Sequence, residues 1–356
     1  MALAIGLGAR GLGQVWPNPA VGCVIVSDGR ILGRGWTQAG GRPHAETMAL
    51  LQAGSAAKGA TAYVSLEPCA HHGKTPPCAE ALIAAGVARV VSAIDDPDPR
   101  VMGRGHALLR DAGIRVETGL LAAEAARVQR GFLSRVQRGR PMLTLKLATS
   151  LDGRIATASG ESQWISGPEA RRRVHLMRAS HDAVLIGAGT ARADDPMLTV
   201  RDLGVARQPL RMVAARQLDL PQGGALARSA REVPLWLAHA PDAPGAARAA
   251  WTALGARLLE IPANGLGLDM AALMTRLGEE GLTRIFCEGG GQLAAALLAQ
   301  DLVDELVVFT AGLALGSDAR AALGALGLEK LGQARRFNLR ESARIGPDLL
   351  ALWTKA

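Results

Sequence analysis

Pro43-His44-Ala45-Glu46, Leu66-Glu67-Pro68-Cys69 and Pro76-Pro77-Cys78 carry the chemistry around which this chain is organised. One imidazole and two thiolates make three ligands suited to Zn²⁺, and a three-ligand set leaves the fourth tetrahedral position open for water. Glu46 follows His44 by two residues, close enough to stand beside the metal without binding it and to move protons to and from that water. His44, Cys69 and Cys78 are therefore the expected metal ligands, Glu46 is the expected catalytic acid-base, and hydrolytic deamination is the expected chemistry. Two other readings compete: buried cysteines with an unrelated histidine, or a zinc that only holds the fold together.

Eight residues separate Cys69 from Cys78, too many for one helical turn, so the second sulfur returns to the metal after an excursion able to carry substrate contacts. Upstream, the apolar run 21–26, the Asp28-Gly29 turn and the run 31–36 predict a hairpin. His44 opens a helix whose apolar stripe is expected at Met48, Leu51 and their neighbours. A strand over 61–66 delivers Cys69, and Cys78 opens a helix closed by Gly86. Both ligand sets thus come at helix starts, where the dipole favours thiolate and oxyanion. A strand over 87–94, a helix over 107–111, a short strand at 114–116 and a helix over 122–137 follow, with residues 1–10 also helical. Strands alternating with helices predict an α/β sandwich.

At 356 residues the chain is long enough for two domains, and its 49% hydrophobic and 20% charged content is that of an ordinary globular protein. Its net charge of +8 is spread as single arginines, and aromatics are 3%, so a nucleic-acid surface is not expected. A modest positive field equally suits a small phosphorylated substrate. No uninterrupted apolar stretch is long enough for a membrane span, and four cysteines, two of them assigned to metal, ask for no oxidising compartment. A cytoplasmic protein is expected.

The polar, basic stretch 134–141 marks a break, with one domain expected over 1–138 and a second over 139–356. A fresh strand starts at 142–148. The apolar runs 182–190 and 283–291 each end in glycines before a helix, where backbone can approach a phosphate, although a glycine turn with no ligand explains each equally well. A strand over 302–309, helix and loop over 312–332, and a closing strand at 349–353 complete the second half. His106, His175, His181 and His239 lack partners at ligand spacing and are expected on the surface or in packing.

The stretches Pro17-Asn18-Pro19-x-Val21-Gly22, His44-Ala45-Glu46 and Glu67-Pro68-Cys69-x-His71-x-Gly73-Lys74-Thr75-Pro76-Pro77-Cys78 closely resemble the deaminase half of the bifunctional riboflavin-biosynthesis deaminase/reductase family. Lys146-Leu147-Ala148-x-Ser150-Leu151-Asp152-Gly153-Arg154, Ser162-Gln163-Trp164-Ile165, the segment from Gly189-Thr190 through Asp194-Asp195-Pro196 to Arg201, and Glu288-Gly289-Gly290 resemble its reductase half. That resemblance implies a cytidine-deaminase-like α/β/α sandwich followed by a dihydrofolate-reductase-like α/β domain. It implies one Zn²⁺ per chain and NADPH as cofactors, phosphorylated pyrimidines as small-molecule substrates, and a homodimer or homotetramer. It further implies that Asn18, His71 and Lys74 hold the first substrate, with Asp96 near them. In the second half it implies that Lys146 polarises or protonates from a strand end, that Ser162, Arg178, Leu198, Arg201 and Glu288 face substrate, and that Ala148, Trp164, Thr190, Asp194, Gly290 and Gly291 face the nucleotide. Asn18 as a plain turn residue, His71 and Lys74 in a solvated loop, and Lys146 with Glu288 as an ordinary ion pair are the alternatives. Ala215-Arg216 stands where the family usually has Asp-Ser, which touches nucleotide preference. A nucleoside or nucleic-acid deaminase fused to an unrelated domain remains the competing enzyme.

Overall fold

The hairpin expected around Asp28-Gly29 forms: β1 (Gly22–Ser27) and β2 (Arg30–Trp36) pair antiparallel, with both turn residues at positive φ, as a two-residue hairpin requires. The computed structural model describes residues 1–72, 76–205 and 207–356. Two compact units result, Met1–Arg140 and Pro141–Ala356.

In the first unit, α1 (Ala2–Ala9) precedes the hairpin and α2 (Ala45–Ala53) follows it. The buried residues of α2 are Ala45, Glu46 and Ala49; of the expected stripe Met48 is half-buried, with its Cβ 2.7 Å from where a Gly35 Cβ would lie, and Leu50 packs on the core, whereas Leu51 is 77% exposed and faces out. The strand explains this. A Cβ at Gly33 would lie 2.1 Å from the Ala49 carbonyl oxygen, and one at Gly35 2.1 Å from that of Ala45. Helix backbone rests on strand backbone, and neither glycine has room for a Cβ. Gly33→Ala is accordingly expected to destabilise this unit by about 1–3 kcal/mol, seen as a lower Tm for its calorimetric transition. An unchanged Tm would show that α2, and Glu46 with it, is free to slide.

The unit continues through β3 (Thr61–Val64), α3 (Cys78–Ala84), β4 (Arg89–Ser92), α4 (Arg104–Asp111), β5 (Arg115–Thr118) and α5 (Ala122–Arg138). Its sheet runs β2-β1-β3-β4-β5, antiparallel at β1 and parallel from β3 to β5. Alternation along β1 sends Cys23 and Ile25 to a core shared with Ala45, Ala49 and Leu82, and Val24 to the other face against Ala4 and Leu7. Helices therefore cover both faces, the sandwich expected from the sequence.

The second unit is built on β6 (Met142–Thr149). The chain passes through β7 (Arg154–Ala156), α6 (Pro168–Ala179), β8 (Ala183–Gly187), α7 (Ala188–Asp194) and β9 (Leu210–Ala214). It continues with α8 (Ala225–Arg228), β10 (Leu235–His239), α9 (Gly245–Ala253), β11 (Arg257–Glu260) and the small hairpin of β12 (Ala263–Asn264) and β13 (Gly267–Leu268). Then come α10 (Met270–Glu279), β14 (Arg284–Cys287), α11 (Gly291–Ala299), β15 (Glu305–Thr310), β16 (Arg320–Ala321), β17 (Phe337–Ile345) and β18 (Asp348–Lys355). The nine-stranded sheet has the order β11-β10-β9-β8-β14-β6-β15-β18-β17, parallel from β11 to β15. β8 is apolar throughout, and β10 up to its last residue, His239, because both faces are covered.

Two expectations need correction. Residues 312–332 contain no α-helix, only β16 paired with β7 and the start of a 3₁₀ turn at Leu331–Gln333. The sheet does not end at residues 349–353, because β18 lies between β15 and β17. β17 is mostly exposed and carries Arg340, Glu341 and Arg344, so it shows none of the apolar run that marks an inner strand. Among the described residues no helix is long and apolar enough to cross a membrane.

Candidate active sites

The backbone delivers the three expected ligands to one point. His44 is the N-cap of α2 and Cys78 the first residue of α3, while Cys69 lies in the loop after β3. His44 Nδ1 is 3.2 Å from Cys78 Sγ and 3.6 Å from Cys69 Sγ. The donor atoms of all three lie within 4.8 Å of one another. Zn–N and Zn–S bonds of about 2.05 and 2.3 Å at tetrahedral angles space N from S by about 3.6 Å, a spacing that Cys69 matches and Cys78 approaches, so this donor set fits zinc. The Cys78 N–H donates to Cys69 Sγ at 3.3 Å, which fixes one sulfur against the other.

Glu46, in the first turn of α2, is only 3% exposed. Burial first, and the negative Cys69 second, push its carboxyl up to about 7. Hydrogen bonding from Cys78 and then from His44 outweighs burial at Cys69 and draws that thiol down to about 4. A buried carboxyl that takes up a proton this readily beside a thiolate is suited to relaying one.

Glu67 is a site residue that the sequence did not single out. Its Oε2 accepts the N–H groups of Asp96 at 3.2 Å and Gly103 at 3.0 Å, and its Oε1 those of Gly105 at 3.0 Å and His106 at 3.3 Å. Four donors fill the carboxylate. The grouping of Glu67, Asp95 and His106 is thus a clamp between the Cys69 loop and α4, with His106 Nε2 held by Ser92 Oγ at 2.7 Å. Gly105 comes so close that a Cβ there would lie 1.9 Å from the Pro68 carbonyl oxygen.

The same clamp positions Asp96, whose buried carboxyl accepts the Asp98 N–H at 2.9 Å and is pushed up to about 6, mainly by burial. Asp98 pairs with Arg100 and also feels the charge of His71, whose Nδ1 is enclosed with no hydrogen-bond partner. Asn18 Nδ2 donates to the Gly41 carbonyl at 2.8 Å and so braces the loop leading to His44. Lys74 lies outside the described residues.

In the second unit a groove of about 1350 Å³ is lined by Lys146, Ala148, Ser162, Trp164, Arg178, Thr190, Asp194, Leu198, Arg201, Glu288, Gly290 and Gly291. Every residue expected there from the sequence is on its wall. Lys146 is not at a strand end, however; it lies within β6. The shorter β14 ends beside it: Cys287 pairs with Leu145, so Lys146 and Glu288 stand at the same level.

Arg178 binds Glu288 through Nε at 2.6 Å and Nη2 at 3.0 Å, and its Nη1 donates to the Thr199 carbonyl at 2.9 Å. Its three nitrogens are engaged, which makes it the holder of Glu288 more than a free phosphate ligand. Burial raises the Glu288 carboxyl, but Arg178 and Lys146 outweigh it and leave it lowered. Burial draws the Lys146 amine down, against the pull of Glu288. Gly290, the N-cap of α11, donates its N–H to Thr190 Oγ1 at 3.1 Å, which joins the two glycine turns.

His175, expected in packing or on the surface, lines the groove and accepts the Arg201 N–H at 3.3 Å. Its spacing in α6 carries no ligand pattern, and only the return of the 198–201 segment brings it there. Arg216, Gln217 and Asp219 line the groove as well.

Residues 141–351 match the family model described as the RibD C-terminal domain, and residues 1–94 match that of the cytidine and deoxycytidylate deaminase zinc-binding region. The chain is 48% identical over 361 residues to the riboflavin biosynthesis protein RibD of Escherichia coli strain K12, covering 98% of this chain and 96% of that protein. It is 41% identical over 368 residues to the same-named protein of Haemophilus influenzae, covering 99% and 96%. Among solved structures, Acinetobacter baumannii RibD is similar with a TM-score of 0.90 at 40% identity, covering 100% of this chain and 97% of that one. A Thermotoga maritima protein described as a diaminohydroxyphosphoribosylaminopyrimidine deaminase/5-amino-6-(5-phosphoribosylamino)uracil reductase is similar with a TM-score of 0.87 at 31% identity, covering 100% and 97%. With a zinc-binding deaminase half, a dihydrofolate-reductase-like half and such identity along nearly its whole length, the chain belongs to the RibD family of bifunctional deaminase/reductases of riboflavin biosynthesis.

Proposed function

We propose that residues 1–138 remove the 2-amino group of 2,5-diamino-6-ribosylamino-4(3H)-pyrimidinone 5′-phosphate by hydrolysis, and that residues 139–356 reduce the ribosyl group of the product to ribityl. The observation that carries this reading is the convergence of His44 Nδ1 with both sulfurs, with Glu46 buried in the helix that His44 caps. His44, Cys69 and Cys78 would hold Zn²⁺, which when bound supplies Lewis-acid activation of water. Glu46 takes a proton from the attacking water and passes it to the ring nitrogen, then carries the second proton from the new hydroxyl to the amine, so that the exocyclic C–N bond breaks as the C=O forms and ammonia leaves. Asn18, His71, Lys74 and Asp96 hold the pyrimidine and its ribose phosphate.

In the second half NADPH supplies the hydride, and the groove has room for a dinucleotide beside a phosphorylated sugar. Lys146 polarises or protonates the opening sugar, Glu288 orients it under the grip of Arg178, and Ser162, Leu198 and Arg201 receive the rest of the substrate. Ala148, Trp164, Thr190, Asp194, Gly290 and Gly291 face the nucleotide. Cytoplasmic localisation and a homodimer or homotetramer complete the reading, the assembly being testable by light scattering.

The test supplies the phosphorylated diaminopyrimidine with zinc and NADPH, and follows ammonia and nicotinamide absorbance separately. Chelation of the metal is expected to abolish ammonia release while leaving reduction of supplied deaminated substrate at its original rate. Ammonia release that survives complete metal removal would overturn the deaminase assignment.

A further inference from the structure

We propose that Arg216 is the residue by which this chain distinguishes NADPH from NADH, its guanidinium receiving the 2′-phosphate of the adenosine ribose. The inference rests on the groove being the nucleotide site. In a parallel sheet, ligands lie across the carboxyl ends of the strands. Arg216 follows the end of β9, and the order β9-β8-β14-β6 places it three strand spacings, about 14 Å, from the Lys146 strand. Lys146 and Glu288 mark the reacting end of the groove, the glycine turns after β8 and β14 lie between, and Arg216 stands at the far end.

That far end has the chemistry of a phosphorylated nucleoside site. Leu266, between β12 and β13, is 97% exposed and lines it, an apolar surface of the kind a base covers. Arg216 is held there by Asp242, which accepts from Nη2 at 2.8 Å. This pair is open to solvent, with the side chains 31% and 56% exposed, so it is weak and yields to a stronger anion. Nε of Arg216 is enclosed and has no hydrogen-bond partner. The enclosed nitrogen seats the guanidinium against the wall and does not itself meet a ligand; once Asp242 releases Nη2, the planar fork matches a phosphate dianion in two-point geometry.

The nearby Asp219 has Arg192 beside it at 2.6 Å, so one acid stands with one base and the two together add no net charge to that end of the groove. A 2′-hydroxyl offers no charge to draw Arg216 away from Asp242; a 2′-phosphate does.

The test measures equilibrium binding of NADPH, NADH and 2′,5′-ADP to the full chain by calorimetry, with no turnover required. Arg216→Ala is expected to weaken NADPH and 2′,5′-ADP by about 10- to 100-fold, with NADH binding unchanged, which also shows that the groove is intact. Arg216→Lys, which keeps the charge and loses the fork, should recover part of the loss. Unchanged NADPH binding in Arg216→Ala, or an equal fall for NADPH and NADH, would overturn the inference. Failure of the wild-type chain to bind any of the three overturns the nucleotide reading of the groove itself, a separate result.

Discussion

Glu46→Gln is expected to lower ammonia release by about 10²- to 10⁴-fold, while reduction of supplied deaminated substrate proceeds at the wild-type rate. Glutamine has the shape of glutamate and no basic oxygen, so it fills the same buried place in α2 and accepts no proton from water. Burial already pushes the Glu46 carboxyl up to about 7, and a neutral amide carries none of that desolvation cost; the Tm of the variant should not fall. His44, Cys69 and Cys78 are untouched, so zinc content by mass spectrometry should stay at one per chain. Ammonia release within tenfold of wild type, at full zinc loading, would remove Glu46 from proton transfer.

Lys146→Met is the complementary case and is expected to cost the reductase about 10²-fold or more in kcat, with ammonia release intact. Methionine keeps much of the length and apolar stem of lysine but carries no proton. Lys146 is half-buried on the groove wall with Glu288, Arg178 and Asp194 acting on its ammonium, and desolvation dominates, drawing its pKa below the ordinary lysine value of 10.5. The alkaline limb of the wild-type kcat profile should therefore fall below that value and vanish in the variant. Glu288 retains Arg178 as its bidentate partner, so NADPH affinity should change little. Undiminished reductase turnover would show that Lys146 is only part of a buried ion-pair network.

The ligand set was legible because metal chemistry restricts residue type and order: an imidazole, two thiols and an adjacent carboxylate leave few other readings. The β1–β2 hairpin was legible because Asp28-Gly29 accepts positive φ on both residues. The two glycine-ended strands could be read as phosphate sites or as empty turns, and only the groove joins them. The packing face of α2 is only partly legible, because apolar content points to Leu51 whereas the backbone contact at Gly33 and Gly35 turns Ala45 and Ala49 inward and leaves Leu51 outside. β17 was missed since an edge strand with much of its surface in water carries no apolar signature.

From its sequence alone this protein declares its metal donors, its proton carrier, the alternation of strand and helix in each half, and the glycine turns that end two inner strands. These are local facts: each depends on residue type and on neighbours within a few positions. Tertiary structure decided which charged groups are already engaged. Glu67 is filled by N–H groups from 29 to 39 residues away, and Arg178 is taken by Glu288 across 110 residues. Burial and long-range pairing set the free energy of a charge, and both come into being only when distant segments meet.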